Sequence, residues 1–368
     1  MVNIKDDNFF MNLAINIAKR NIGMTGTNPS VGCVLVSSEN KILSTGCTGK
    51  GGSPHAEYDA INKSKNLKHS ILYTTLEPCS HSGKNPPCVD YIISSGVSKV
   101  VISSKDINPL VNGKSIKKLK QSKIEVTCGV LKEETELLYS GFFNRMKFNK
   151  PIFDIKIASS ADGKTALKTG KSKWITNQLS RNYGHRLRSI NDGIMVGINT
   201  VLIDNPSLTC RLPGLEGFSP TRIVLDTNLR IPHESNIVKT ANKYKTFIFT
   251  SKESSKKKIS NLNKKGIKVF HVPKTKKGLS FSRVLYSLGE LGFNNILVEG
   301  GNKLIASAIT SSDLNRIYWF SSEKIIGEEG LPSVGSLNIS NLENSPNIEF
   351  HNMINLNNNY LKIFKAIS

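Results

Sequence analysis

The sequence predicts an α/β chain of two domains, residues 1–148 and 149–368. Stretches with helical spacing of apolar residues alternate with short β-branched runs along the whole length, which is the pattern of helices covering a sheet. Asn149-Lys150-Pro151 breaks a helical stretch, and a strand pattern restarts behind it. A length of 368 residues with 38% hydrophobic residues suits two or three ordinary domains, each able to bury a core.

Phe10, Leu13, Ala14 and Ile17 recur at helical spacing and predict an amphipathic helix over 8–20. Gly23, Gly26, Asn28 and Pro29 end it in a loop. Strands are expected at 31–36 and 41–46, joined by a polar turn at Glu39-Asn40. A glycine-rich loop leads to His55, a helix covers 55–65, and 70–75 is a strand. The loop 76–87 follows, then a short helix from Cys88 to Ser95, a strand at 99–103 and one continuous helix over 131–148. In the second half, 152–159 is a strand and 162–172 a polar stretch. Leu179, Tyr183, Leu187 and Ile190 mark one helix face, with Arg181, His185 and Arg188 on another. Further strands are expected at 193–197, 221–225, 245–250, 267–271, 294–298, 315–321 and, last, 360–366.

The formal charge of +22 would fit nucleic acid, a membrane surface or phosphorylated small molecules. The lysines are scattered among Asn and Ile, and no nucleic-acid motif accompanies them, so nucleic acid is not an expected partner. The densest stretch, Lys252 to Lys268, reads as the outer face of a helix. No apolar run approaches the ~18 residues of a membrane span, and the polar start does not resemble a signal peptide, so a cytoplasmic enzyme is expected. A disulfide framework is not expected from the six cysteines. Cys33 lies in an apolar run, Cys128 and Cys210 lack His or Cys neighbours, and only Cys79 and Cys88 have metal-site context.

That context is His55-Ala56-Glu57, Pro78-Cys79 and Pro86-Pro87-Cys88. One histidine and two cysteines form the ligand set of a zinc site with a fourth position open for water, whose pKa the metal lowers to about 7. Glu57 is close enough to His55 to carry that water's proton to a leaving amine, the logic of zinc-dependent deaminases. His55 and Cys88 stand at expected helix starts, which would favour thiolate at Cys88. A purely structural zinc site usually has four protein ligands, and three are in view.

The second half offers weaker signals. Asn294-Ile-Leu-Val-Glu-Gly-Gly301 is a strand ending in a glycine pair before an expected helix from Asn302, whose amides would attract a pyrophosphate. There is no Gly-x-Gly-x-x-Gly. The Arg181/His185/Arg188 face and Arg211 suit a phosphate, but taken alone that face reads as a solvated helix surface, and the glycine pair as a simple turn.

The spacing between the cysteines narrows the field. Short-spaced deaminases carry Pro-Cys-x-x-Cys, whereas Ser80 to Pro87 separate Cys79 from Cys88. Thr75-Leu-Glu-Pro-Cys-Ser-His-Ser-Gly-Lys-Asn-Pro-Pro-Cys88 strongly resembles the deaminase half of the bifunctional riboflavin-biosynthesis deaminase–reductase family. Asn28–Cys33 and Asp106–Gly113 are similar to further motifs of that half. Lys156–Thr165, Ser172–Thr176, Gly197–Arg211 and Val298–Gly301 are similar, in order, to the reductase half. The resemblance implies a cytidine-deaminase-like domain holding Zn2+ through His55, Cys79 and Cys88, with Glu57 catalytic. It implies a dihydrofolate-reductase-like second domain binding NADPH; preference over NADH rests on the resemblance alone. The NADPH contacts it implies are Ala158, Trp174, Thr200, Asp204, Thr227 and the run Gly301, Asn302, Lys303, Leu304, Ile305, Ala306 and Ser307. The implied substrate contacts are Asn28, His81 and Lys84, with Asp106 and Asn108 as further candidates, in the first half, and Ser172, Arg188, Leu208, Arg211 and Glu299 in the second. The substrate would be a small phosphorylated pyrimidine, and a homo-oligomer is expected. Thr48 stands where the family usually has a histidine, Asn85 where a threonine is usual, Ser115 where a glycine is usual and Ala161 where a leucine is usual. Alternatives are a chain with an impaired deaminase half, suggested by Thr48, and a nucleic-acid deaminase, which predicts a short Cys-x-x-Cys and no second half.

Overall fold

The computed structural model describes residues 6–81, 86–170, 175–276 and 278–367. The chain divides into two compact units, Met1–Phe148 and Asn149–Ser368.

In the first unit the elements run α1 (Asp7–Ala18), β1 (Gly32–Val36), β2 (Ile42–Cys47), α2 (Ala56–Asn62), β3 (Ile71–Leu76), α3 (Cys88–Ser95) and β4 (Lys99–Ser104). Then come α4 (Lys114–Gln121), β5 (Glu125–Cys128), α5 (Lys132–Leu138) and α6 (Ser140–Phe148). The sheet order is β2-β1-β3-β4-β5; β2 and β3 flank β1 antiparallel, and β3, β4 and β5 run parallel. Asp6 caps α1 by accepting from Phe9 N at 2.9 Å. The inner face of α1, including Phe10, Ala14 and Ile17, packs on Val34, Val36 and Tyr73. On the other side of the sheet, Ala60 and Ile61 of α2 and Val89 and Ile92 of α3 meet Cys33, Leu35, Leu72 and Ile102. A strand covered on both faces reads as an unbroken apolar run rather than an alternation, which is why Gly32–Val36 is buried throughout. Each large side chain so buried contributes about 1.5–3 kcal/mol.

The expected helix over 131–148 is two helices. The chain turns at Tyr139, whose hydroxyl is buried against Thr75 Oγ1 and lies 3.3 Å from Ser30 O. Satisfying that hydroxyl beneath the sheet fixes the break, and the periodicity of the segment carries no sign of it.

The second unit contains β6 (Ile152–Ser159), β7 (Lys164–Leu167), α7 (Gln178–Ser189), β8 (Gly193–Gly197), α8 (Ile198–Asp204), β9 (Thr221–Leu225), α9 (Asn236–Lys239) and β10 (Thr246–Thr250). It continues with α10 (Lys256–Lys264), β11 (Ile267–His271), β12 (Lys274–Thr275), β13 (Gly278–Leu279), α11 (Phe281–Glu290), β14 (Asn295–Glu299) and α12 (Asn302–Ile309). It ends with β15 (Leu314–Ser322), β16 (Gly330–Pro332), β17 (Ile348–Asn355) and β18 (Asn359–Ala366). Nine strands form one sheet among the described residues, in the order β11-β10-β9-β8-β14-β6-β15-β18-β17. The pairs from β11 to β15 are parallel, and β18 and β17 continue the sheet antiparallel. Val284, Leu285, Leu288 and Ile305 of α11 and α12 pack on one face against Phe153, Ile155 and Ile296, while Leu187 of α7 packs on the other against Leu297 and Phe320.

Five strands of the second unit escaped the sequence reading. β7 sits in the polar stretch 162–172 and pairs with the short β16; β12 and β13 are two-residue strands that pair with each other; β17 is almost wholly exposed at the sheet edge. None buries an alternating face, so none leaves the usual pattern. Of the lysine-rich stretch, only 256–264 is helical, with Leu262 buried, and Lys268 belongs to β11.

Arg222 on β9 is wholly buried. Its guanidinium donates to Thr246 Oγ1, Thr240 Oγ1 and the carbonyls of Ser207, Ile237 and Tyr244. No carboxylate pairs with it among the described residues.

Candidate active sites

The first site lies at the starts of two helices beside the end of β3. His55 is the residue before α2, Cys88 is the first residue of α3, and Cys79 is in the loop after β3. His55 Nδ1 lies 3.2 Å from Cys88 Sγ and 3.5 Å from Cys79 Sγ, and the ligand atoms of the three residues all fall within 4.8 Å of one another. One imidazole nitrogen and two sulfurs converging this closely fit zinc, and other metal-type clusters are absent among the described residues. The cysteines are free thiols.

Cys88 directs its backbone N–H at Cys79 Sγ (3.2 Å). The side-chain hydrogen bond between the two thiols, opposed by burial and aided by His55, holds the Cys79 thiol well below its ordinary value. That side-chain bond, with burial, pushes Cys88 up.

Glu57, on the first turn of α2, is 4% exposed, and its Oε1 accepts from Thr74 Oγ1 at 3.0 Å. Burial raises its carboxyl, and the Cys79 charge adds to that. A cavity of about 440 Å³ opens over the cluster and is lined by Asn28, His55, Glu57, Cys79 and His81. Lys84 and Asn85 lie outside the described residues. Gly52 must be glycine: its φ is +89°, and a Cβ there would sit 2.4 Å from Asn28 Nδ2, which donates to Gly52 O.

Two wall residues escaped the sequence reading: Glu77 and Arg145 line this cavity beside the expected Asp106 and Asn108. Arg145 reaches it from α6 and donates to Thr27 O at 2.7 Å. Burial raises Asp106 to about 6, with the Glu77 charge contributing. Thr48 lines the cavity too, but its hydroxyl accepts from Val31 N at 2.9 Å and so serves the scaffold.

The second site lies at the carboxyl ends of the parallel strands β6, β8, β9 and β14, where α/β sheets bind ligands. Two adjoining cavities share Thr165, Thr200, Asp204, Gly300, Gly301 and Asn302. The larger, about 450 Å³, is also lined by Thr227, Lys303, Leu304, Ser307 and Phe281. The smaller, about 300 Å³, is lined by Lys156, Ala158, Arg188, Leu208, Glu299 and Ile305. Gly300 and Gly301 take φ of +73° and +80°, bringing the backbone against Thr200 at the start of α12.

At the floor of the smaller cavity, Arg188 Nε and Nη2 grip the two oxygens of Glu299 at 2.7 and 2.8 Å, and Nη1 donates to Thr209 O at 3.0 Å. Burial alone would raise Glu299, but Arg188 outweighs it and holds the carboxyl at about 2, helped by Lys156, whose Nζ is 4.0 Å away. Burial lowers Lys156. His185 is held down to about 4 by burial and by the charges of Arg188 and Arg211, and its Nδ1 accepts from Arg211 N at 3.4 Å. Two residues expected at this site line neither cavity: Ala306 is buried on α12, and Arg211 is exposed. Ser172 and Trp174 lie outside the described residues. Lys156 entered the sequence reading only as a possible aid to proton transfer; its place on an alternating strand, flanked by buried Ile155 and Ile157, is the signal that puts it on the cavity side.

Residues 4–104 match the family model for the cytidine and deoxycytidylate deaminase zinc-binding region, and residues 151–362 match that for the RibD C-terminal domain. The riboflavin biosynthesis protein RibD of Aquifex aeolicus (strain VF5) is 39% identical over 98% of both chains. That of Escherichia coli (strain K12) is 31% identical over 94% of this chain and 95% of its own. Among solved structures, a diaminohydroxyphosphoribosylaminopyrimidine deaminase/5-amino-6-(5-phosphoribosylamino)uracil reductase from Thermotoga maritima is 32% identical, covers 98% of each chain and superposes with a TM-score of 0.84. Acinetobacter baumannii RibD, form 1, superposes with a TM-score of 0.89 at 27% identity over 98% of this chain and 99% of its own. A deaminase-type metal cluster and a strand-end reductase site in one chain, matched over nearly the full length of these relatives, have one reading: the chain belongs to the RibD family of bifunctional riboflavin-biosynthesis deaminase–reductases.

Proposed function

We propose that the chain converts 2,5-diamino-6-ribosylamino-4(3H)-pyrimidinone 5′-phosphate in two steps. Its first unit replaces the 2-amino group by oxygen, consuming water and releasing ammonia. Its second unit then reduces 5-amino-6-(5-phosphoribosylamino)uracil to the ribitylamino product with NADPH. The observation that carries this reading is the pairing of Glu57 with the His55, Cys79 and Cys88 cluster at the floor of one cavity.

His55, Cys79 and Cys88 would hold zinc, which supplies a hydroxide-like water at neutral pH. Glu57, oriented by Thr74, takes a proton from the attacking water and delivers it to the departing amine. Its burial keeps bulk water from short-circuiting that transfer. Asn28, His81 and Lys84 would hold the substrate, with Asp106 and Asn108 beside them.

In the second unit NADPH would lie along Ala158, Trp174, Thr200, Asp204, Thr227 and the start of α12 from Gly301 to Ser307, and it supplies the hydride. The amides at that helix start suit its pyrophosphate. Ser172, Arg188, Leu208, Arg211 and Glu299 would hold the phosphorylated sugar. The Arg188–Glu299 pair fixes the cavity floor, and Lys156, whose Nζ lies 4.0 Å from Glu299 Oε2, would give a proton to the opening sugar. A cytoplasmic location and a homo-oligomer complete the proposal; sedimentation of the purified chain tests the latter.

The test follows ammonia and NADPH together on the diaminopyrimidine phosphate. Ammonia should appear without cofactor, and NADPH should be consumed only once ammonia has been released. NADPH consumption with no ammonia release would sink the two-step reading; neither signal here, with NADPH oxidation on the pre-deaminated substrate, would mean an impaired deaminase half, the alternative that Thr48 raises.

A further inference from the structure

The metal-ligand loop of the first unit is tied to one wall of its cavity by side chains outside the ligand set. Four residues, Glu77 to Ser80, follow β3 and include Cys79. Glu77 Oε2 accepts from Asp106 N at 3.3 Å and from Gly113 N at 3.0 Å, the two ends of one loop. Ser115 Oγ donates to Pro78 O, and Ser80 Oγ donates to Leu110 O at 3.1 Å. Cys79 thus sits inside three ties to a single segment.

That segment is stiff within itself. Asp106 Oδ1 accepts from Asn108 N at 2.8 Å, and Asn108 Oδ1 accepts from Leu110 N at 3.0 Å, so two side-chain turns follow in succession. A loop braced internally moves about its ends, and Glu77 holds both ends. Glu77 is 3% exposed, and its second oxygen is buried with no hydrogen-bond partner among the described residues. A carboxylate is costly to bury, and the two amide bonds to Oε2 are what offset that cost here. It lies outside the metal cluster.

We propose that Glu77 is a positioning residue, locking the cavity wall Asp106–Gly113 to the Cys79 segment, so that metal affinity and substrate affinity depend on one carboxylate. Ser115 supports the same lock through the carbonyl preceding Cys79. The proposal rests on the deaminase reading for its substrate half only; its metal half stands on the ligand geometry.

Zinc affinity of the metal-stripped full chain, measured by competition with a chromophoric chelator, is the first readout. Amide hydrogen exchange across 106–113 is the second, and KM against kcat for ammonia release the third. Glu77→Ala should weaken zinc about tenfold to a hundredfold, the range for partners that orient metal ligands. It should also speed exchange at Asp106 and Gly113 and raise KM. Glu77→Gln keeps an acceptor oxygen and should stay within about threefold of the parent on all three. Unchanged zinc affinity and exchange in Glu77→Ala would overturn the proposal, and so would a Gln variant as impaired as the Ala one. If Glu77→Ala does not fold, Ser115→Ala decides: weaker zinc binding and faster exchange near 110–115 support the lock, and parent-like values overturn it. A parent chain that binds zinc normally but releases no ammonia would sink the deaminase reading and leave the metal half standing.

Discussion

The two units handle buried charge in opposite ways. In the first, two sulfurs and an imidazole crowd together, a donor set that a dication completes. In the second, Glu299 already has its cation, with Arg188 closing on both oxygens and Lys156 behind it. One site is unfinished without its metal; the other is electrostatically closed before any ligand arrives. A metal-dependent centre and a self-contained one should therefore fail under different insults, even on the same chain.

The sharpest separation is expected from Glu57→Gln. It keeps the shape of the first cavity and removes the proton carrier, so ammonia release should fall about a hundredfold to ten-thousandfold. NADPH oxidation on the pre-deaminated substrate should stay within about twofold, since Glu57 belongs to the other compact unit. Loss of both activities together would break the comparison. Chelation should do the same reversibly: ammonia release stops, NADPH oxidation continues, and added zinc restores the first.

The mirror experiment is Glu299→Gln, which leaves Arg188 buried without its counter-charge. Breaking such a pair costs about 3–5 kcal/mol, read as an earlier unfolding transition of the second unit in calorimetry while the first keeps its own. An unchanged transition would remove the ion pair from its structural role.

Acid sharpens the contrast further. Glu299 is held at about 2, below the ordinary glutamate value of 4.5. Its stabilising contribution is therefore complete above about pH 4.5 and is lost as pH falls towards 2. The full loss is about 3 kcal/mol and should appear as an acid transition of the second unit that Glu299→Gln lacks. The smallest effect concerns His185. Held down to about 4, its imidazole should show no protonation by NMR above about pH 5 in the folded chain. A titration near 6.5 would mean that Arg188 and Arg211 do not face it as described.

Most of the first site was legible because its parts are short and local. His55 and Glu57 are two residues apart, and the residues between Cys79 and Cys88 are as diagnostic as the ligands. What escaped was contributed by tertiary folding. Arg145 reaches the cavity from the last helix of the unit, and Glu77 acts through two backbone amides that no motif marks. The parallel strands of the second unit were readable from their buried apolar runs. β17 was not, because a solvated edge strand has no buried face to impose a period. Tyr139 splits its helix for a hydrogen bond to Thr75, far away in sequence.

Arg222 gives a last consequence. Its charge is solvated by threonine hydroxyls and peptide carbonyls, groups that neither titrate nor exchange with salt. One of those carbonyls belongs to Ser207, next to the cavity residue Leu208. The loop holding Leu208 is thereby moored to a cation that brings its own solvent with it. Acid strong enough to release Glu299 from Arg188 would dismantle the floor of the smaller cavity while leaving this mooring in place, so the site should come apart in stages.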